Sequence, residues 1–230
     1  MKAVFIFSLV FYVADLFGSG TIIWLIESDE TSRKLKPNEH ISISIDTTRM
    51  MLNRLKGLDF EFLITSPARR EKLFKQNKTY CASEIIKTPS RERSSLFSLP
   101  VHLYPSLKLY YPAKLHPLAP KVINREGKLT SLQSLFKHYP ERLLTLVKGR
   151  SYGTFLDQQI TKLPDKNITY RAGEDQYVAI AKMLLKGRMD FALFYPTQYV
   201  KLIARAETGG EVYSVAISGD EPYILGHVAC

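Results

Sequence analysis

The chain has 230 residues, 45% of them hydrophobic and 23% charged. That balance excludes an intrinsically disordered chain and gives enough apolar mass for one large domain or two smaller lobes. The formal net charge of +10 suits an anionic ligand, an envelope polyanion or a solvated basic surface, but no zinc-finger spacing or RNA-binding aromatic signature accompanies it, which argues against a nucleic-acid reader.

The first 20 residues pair a basic start, Met1-Lys2, with an apolar run over 3–14 and the small residues Gly18-Ser19-Gly20. This is the pattern of a secretory signal peptide, and the run is too short to span a membrane comfortably. Export permits disulfides, and Cys81 and Cys230 are the only two cysteines, so one pairing exists. A bridge closing so long a loop would contribute about 4–5 kcal/mol at best.

Residues 21–26 are β-branched and aromatic and predict a first strand. A polar, irregular stretch follows over 28–46. Met50, Met51 and Leu55 have helical spacing within 47–56, and Gly57 ends that helix. A strand is expected over 60–65, a helix over 68–76 and a short strand over 80–86. Residues 101–111 are extended and bounded by Pro100 and Pro112. In the second half a helix is expected over 129–138, a strand over 142–147, a glycine-rich turn over 149–153 and a helix over 154–163. A strand over 168–171 precedes an amphipathic helix over 177–186 that Gly187 stops. A buried strand over 190–194, a helix over 198–206 and a last strand over 212–217 complete the series. Strands alternating with helices give an α/β class with largely parallel sheets.

The segment from Lys87 to Pro100 carries the most chemistry. Pro89 opens a turn, and Arg91 sits where an apolar run gives way to a polar surface. A guanidinium there offers five fixed donors and a permanent charge, which suits a carboxylate or phosphate. Thr88-Pro89-Ser90-Arg91 and Phe97-Ser98-Leu99-Pro100 resemble the paired motifs of bacterial extracellular solute-binding proteins of family 3, the periplasmic amino-acid-binding type. The wider stretch is similar to a poorly characterised secreted branch of it.

The resemblance implies a two-lobe periplasmic-binding-protein-like (type II) fold with two hinge crossovers and a ligand cleft between the lobes. Lobe 1 would take residues 21–110 and lobe 2 residues 111–211, with 212–230 returning to lobe 1. The hinge strands would lie within 101–111 and 212–217. The chain stops before the closing elements the resemblance implies, as a C-terminally truncated member would. Arg91 would grip a ligand carboxylate, Thr88 would lie beside it, and the amides of Ser151, Tyr152 and Gly153 would meet the same group. Trp24 and Glu27 end the first strand, where cleft-lining groups are implied. Tyr195 stands where the resemblance implies an aspartate for a ligand ammonium, and Ile86 where it implies a hydroxyl. The implied ligand is therefore a small anionic or carboxylate-bearing molecule with no required ammonium, held for transport or sensing. The implied partners are that molecule and an ABC-transporter permease or envelope sensor. The protein would be a periplasmic or secreted monomer with no cofactor and no metal.

A rival chemistry is written in the same turn. Gly149-Arg150-Ser151-Tyr152-Gly153 is a Gly-x-Ser-x-Gly sequence between a strand and a helix, as in the nucleophile elbow of α/β-hydrolases. Asp190 or Asp220 and His227 follow in the order such a triad needs, so a secreted serine hydrolase using Ser151 is the alternative. The five histidines, at 40, 102, 116, 138 and 227, have no metal-ligand spacing.

Overall fold

The computed structural model describes residues 21–27, 43–76, 78–173, 175–206 and 209–230. The expected signal segment and residues 28–42 lie outside them. Among the described residues no helix is long and apolar enough to cross a membrane.

Among the described residues the strands form two five-stranded sheets. One contains β1 (Ile22–Ile26), β2 (Phe60–Ile64), β3 (Tyr80–Ile86), β4 (Phe97–Pro105) and β10 (Tyr223–Ala229), in the order β2-β1-β3-β10-β4. The other contains β5 (Lys108–Pro112), β6 (Leu144–Val147), β7 (Ile168–Arg171), β8 (Phe191–Phe194) and β9 (Val212–Ala216), in the order β7-β6-β8-β5-β9. Helices α1 (Ile43–Arg54) and α2 (Pro67–Leu73) belong to the first lobe. Helices α3 (Leu132–His138), α4 (Thr154–Ile160), α5 (Gln176–Leu185) and α6 (Pro196–Ala206) belong to the second.

The second sheet is covered on both faces. Every residue of β6 and β8 is buried, as the unbroken apolar runs Leu-Thr-Leu-Val and Phe-Ala-Leu-Phe require of central strands. Successive side chains leave a strand on opposite faces. Leu109, Phe191 and Leu193 accordingly join one core with Leu132, Leu135 and Leu156, while Tyr110, Ala192 and Phe194 join another with Ile180, Leu184 and Leu202. The first sheet divides in the same way, with Leu25 and Ala82 on one face and Trp24, Ile26 and Cys81 on the other. Helix starts are capped locally. Ser66 accepts from the Arg69 N–H at 3.4 Å ahead of Pro67, and Ser131 accepts from the Ser134 N–H at 3.0 Å.

The α/β class is as expected, but three details differ. Both sheets are mixed, because β10 runs antiparallel to β3 and β4, and β5 antiparallel to β8 and β9. Residues 212–216 lie in the second sheet, as does all of β5, so the first crossover narrows to 106–107 within the expected 101–111, and the second falls at 217–222, later than the expected 212–217. They run side by side, joined by the Ser106 N–H donating to the Pro222 carbonyl at 3.2 Å. The return to the first lobe is made by β10, a strand beyond the last one expected. Its pairing shifts register on both sides of His227, so its alternation is broken and the sequence hides it.

The expected Cys81–Cys230 disulfide is formed, across a sequence separation of 149. It ties the end of β10 to β3. The Cys230 amide also donates to the Leu96 carbonyl at 3.0 Å, and the Leu96 amide to the Cys230 carbonyl at 2.8 Å.

Candidate functional site

The two lobes meet at the turn that follows β6. Gly149 has φ +80°, and a Cβ there would lie 2.5 Å from the Ala68 Cα and 2.9 Å from the Pro67 carbonyl carbon. Only glycine lets this turn of the second lobe approach the start of α2 in the first so closely. Arg91 spans the same junction. Its Nη2 donates to Glu71 Oε1 at 2.7 Å and to the Gly149 carbonyl at 3.5 Å, and its Nη1 donates to the Ile86 carbonyl at 3.0 Å.

Beside this contact lies a cleft of about 330 Å³, within the size range of small-molecule sites. The first lobe contributes apolar floor from Leu25, Ile26, Ile45 and Ile86, the hydroxyls of Ser44, Ser83 and Tyr104, and the charged Glu27, Arg70, Glu84 and Arg91. The second contributes Arg150, Ser151, Tyr177, Tyr195, Thr197, Gln198 and Lys201. Four cations therefore face two carboxylates. Arg70 is neutralised by Glu27 at 2.8 Å and Arg91 by Glu71 at 2.7 Å, which leaves Arg150 and Lys201 against Glu84. Glu84 has φ +63° at the irregular end of β3, a left-handed conformation uncommon for a residue with a Cβ.

Arg150 is held by aromatic faces. Its guanidinium carbon is 5.0 Å from the Tyr177 ring centre, 5.1 Å from that of Tyr195 and 5.4 Å from that of Tyr152. Gln198 Oε1 accepts from Nη1 at 3.4 Å. Tyr195 in turn meets Tyr104 across the cleft, with ring centres 5.1 Å apart and planes tilted by 31°. Burial raises the hydroxyls of Tyr104, Tyr177 and Tyr195 and pushes Tyr152 up to about 12. The cage is thus neutral at physiological pH and attracts the cation through its ring quadrupoles.

Of the residues expected at the site, Arg91, Glu27, Ser151 and Tyr195 line the cleft. The others take different work. Thr88 is buried, with its Oγ1 3.0 Å from Ser90 Oγ and accepting from the Arg91 N–H at 3.4 Å. It shapes the turn that presents Arg91. Trp24 is only 2% exposed and packs edge-on to Phe60, on the face of β1 directed into the core. Tyr152 is buried beneath Arg150, and its hydroxyl accepts from the Val147 N–H at 2.8 Å. The Gly153 N–H donates to Ser151 Oγ at 3.2 Å, and the Tyr152 N–H to Asp157 Oδ1 at 2.8 Å. Of the amides expected to meet a ligand, that of Tyr152 is therefore taken by an internal carboxylate and that of Gly153 by the Ser151 hydroxyl. Burial pushes that Asp157 carboxyl up, against the hydrogen bonds from Ser151 and Tyr152 that favour its charge.

The Ser-Asp-His arrangement is not assembled. Ser151 Oγ donates to Asp157 Oδ2 at 2.5 Å. His227 lies in β10 of the other lobe, against the Ser98 carbonyl at 2.8 Å and the Phe97 ring. Asp190 pairs with Arg142 at 3.1 Å. Among the described residues no histidine lines the cleft, and none of their His, Cys, Asp and Glu side chains cluster as metal ligands do.

Arg150, Arg70, Glu84, Tyr104, Tyr177 and Gln198 were not among the expected site residues. Arg150 had a signal, since a long cation in a strand-to-helix turn at the carboxyl end of a sheet strand points toward a cleft. The tyrosines around it come from three separate segments, which the order of residues does not bring together.

No family model matches the chain, and no curated sequence matches it. Solved structures do. One, described with glutathione import by way of GshT and the cystine ABC importer TcyBC of Streptococcus mutans, shares 13% identity over 91% of this chain and 81% of its own, with a TM-score of 0.60. The amino acid ABC transporter substrate-binding protein AbpA from Streptococcus pneumoniae, bound to L-arginine, shares 14% identity over 91% and 81%, with a TM-score of 0.59. An ancestral arginine-binding protein bound to glutamine shares 16% identity over 91% and 83%, also at 0.59. At these identities the likeness is one of fold, and it is the two-lobe fold of periplasmic binding proteins.

Proposed function

We propose that the chain is a solute-binding protein that captures a small anionic or carboxylate-bearing molecule between its lobes, for delivery to a transporter or for sensing. The observation that carries this reading is the cleft itself. It lies between two sheets joined by two adjacent crossovers, has aromatic and apolar walls, and holds more cationic than anionic side chains. Short paired crossovers suit a hinge, and a ligand touching both lobes stabilises the closed state by its differential contacts. The solved structures of the same fold that are bound to arginine and to glutamine support solute capture as a use of this architecture. The segment 1–20 and the single disulfide support an exported protein, which would meet its solute outside the cytoplasm.

A thermal-shift screen of the reducing-agent-free protein over carboxylates, amino acids, short peptides and sugar acids tests it. A ligand at 100 times its Kd stabilises the folded form by about 2.7 kcal/mol, a readily measured rise in Tm. The reading expects such a rise for a carboxylate-bearing compound. A screen in which no class of compound moves Tm would overturn it.

A further inference from the structure

We infer that Arg150, rather than Arg91, takes the anionic head of the ligand, so that the cleft selects molecules bearing an oxyanion: a carboxylate, a sulfonate or a phosphate monoester. The inference rests on the solute-binding reading above and assigns the charge recognition within it.

Most charged and polar donors of the cleft are already spent. Arg91 gives its Nη atoms to Glu71, to the Ile86 carbonyl and, at 3.5 Å, to the Gly149 carbonyl. With its charge neutralised by Glu71, it serves as a tie between the lobes. Arg70 is paired with Glu27 at 2.8 Å. The Tyr152 and Gly153 amides are committed to Asp157 and Ser151, so the turn after β6 already carries its own anion.

Arg150 alone among the cleft guanidiniums has no carboxylate within ion-pair distance among the described residues. Glu27 and Asp157 act on it through space, but Arg70 already holds the first, and Ser151 and the Tyr152 amide hold the second. Its other partners, Gln198 Oε1 at 3.4 Å and the Tyr195 hydroxyl, are neutral. A half-buried cation without a counter-charge is costly, and a ligand oxyanion would offset that cost. The tyrosine faces fix the plane of the guanidinium while leaving N–H donors along its edge for a two-oxygen acceptor. Such an orienting cage costs a ligand little entropy, because the fork is ordered before the ligand arrives.

The test pairs a charged probe with its neutral isostere. Titration calorimetry would measure benzoate, benzenesulfonate and phenyl phosphate, with benzamide as the uncharged match for benzoate, on the full chain and on Arg150→Met, Arg150→Lys and Arg91→Met. The expected result is that at least one oxyanion binds the unaltered protein and benzamide binds at least about 30-fold more weakly than benzoate. Arg150→Met abolishes that preference and Arg150→Lys restores part of it. Arg91→Met weakens both compounds together and keeps their ratio, as a change in lobe closure would. If the preference survives in Arg150→Met and is lost in Arg91→Met, the assignment to Arg150 falls while solute capture stands. Preferential binding of benzamide has the same consequence. If neither these probes nor any compound in the wider screen binds the unaltered protein, both readings fall together.

Discussion

Replacing Arg91 by methionine separates a structural tie from a ligand grip. Methionine keeps an apolar stem and removes the guanidinium. The Arg91 side chain is 9% exposed and that of Glu71 is 29% exposed. Removing one partner of a fully buried ion pair costs about 3–5 kcal/mol, because the other charge is stranded. Glu71 regains part of its hydration through its exposed edge, which brings the expected loss down to about 2–3 kcal/mol. Two carbonyls, those of Ile86 and Gly149, lose a charged donor as well. Glu71→Gln leaves the Arg91 carbonyl bonds in place and should cost about 1 kcal/mol. Urea unfolding reads the difference. Trp24 is the only tryptophan, and being 2% exposed in the first lobe it reports the unfolding there. A loss below about 0.5 kcal/mol in Arg91→Met, the range of an ordinary surface change, would refute the tie.

Gly149→Ala places a Cβ 2.5 Å from the Ala68 backbone in a left-handed conformation, so the lobes must separate. Small-angle scattering should show a larger radius of gyration, and the affinity of any cleft ligand should fall at least about tenfold. Reducing the Cys81–Cys230 bridge, or replacing both cysteines by serine, releases a loop of 149 residues. By the chain-entropy relation this costs up to about 5 kcal/mol, measurable as a lower urea midpoint. Burial raises the Asp220 carboxyl to about 6, above its unfolded value of about 3.9. Its contribution to stability is therefore complete below about pH 4 and is lost as pH rises through about 6. Asp220 is half-buried, so the loss is about 1–2 kcal/mol after allowing for solvent screening. Asp220→Asn should be more stable than the parent at pH 8 and equal to it near pH 4, and equal stabilities at both would show that this carboxyl does not titrate as described.

Several strands were legible from their apolar and β-branched runs. Those at Ile22–Ile26, Phe60–Ile64, Tyr80–Ile86 and Phe191–Phe194 lie within a residue of the expected ranges. Helix α5 was legible because its apolar spacing ends cleanly at Gly187, which has φ +62°. The return strand β10 was not, since Gly226 and the register shifts beside His227 break the two-residue alternation. Strand direction was hidden for another reason. Antiparallel placement of β5 and β10 depends on which lobe each crossover enters, a long-range property that local pattern does not encode.

The site was legible in part. Motif position brought Arg91, Ser151, Glu27 and Tyr195 to one cleft. Motif position also pointed to Thr88, Trp24 and the 152–153 amides, whose polar atoms or faces the fold uses internally. The Glu71–Arg91 and Asp157–Ser151 contacts span 20 and 6 residues respectively. No local pattern marks either carboxylate as the partner that satisfies a group otherwise available to a ligand.

The most direct test of the account is a crystal structure with the compound that gives the largest thermal shift. The account expects density in the cleft beside Tyr104 and Tyr195, touching both lobes, with an oxyanion within hydrogen-bond distance of Arg150. A ligand seated outside the cleft, or one in it with its charged group on Arg91 and Arg150 untouched, would contradict it.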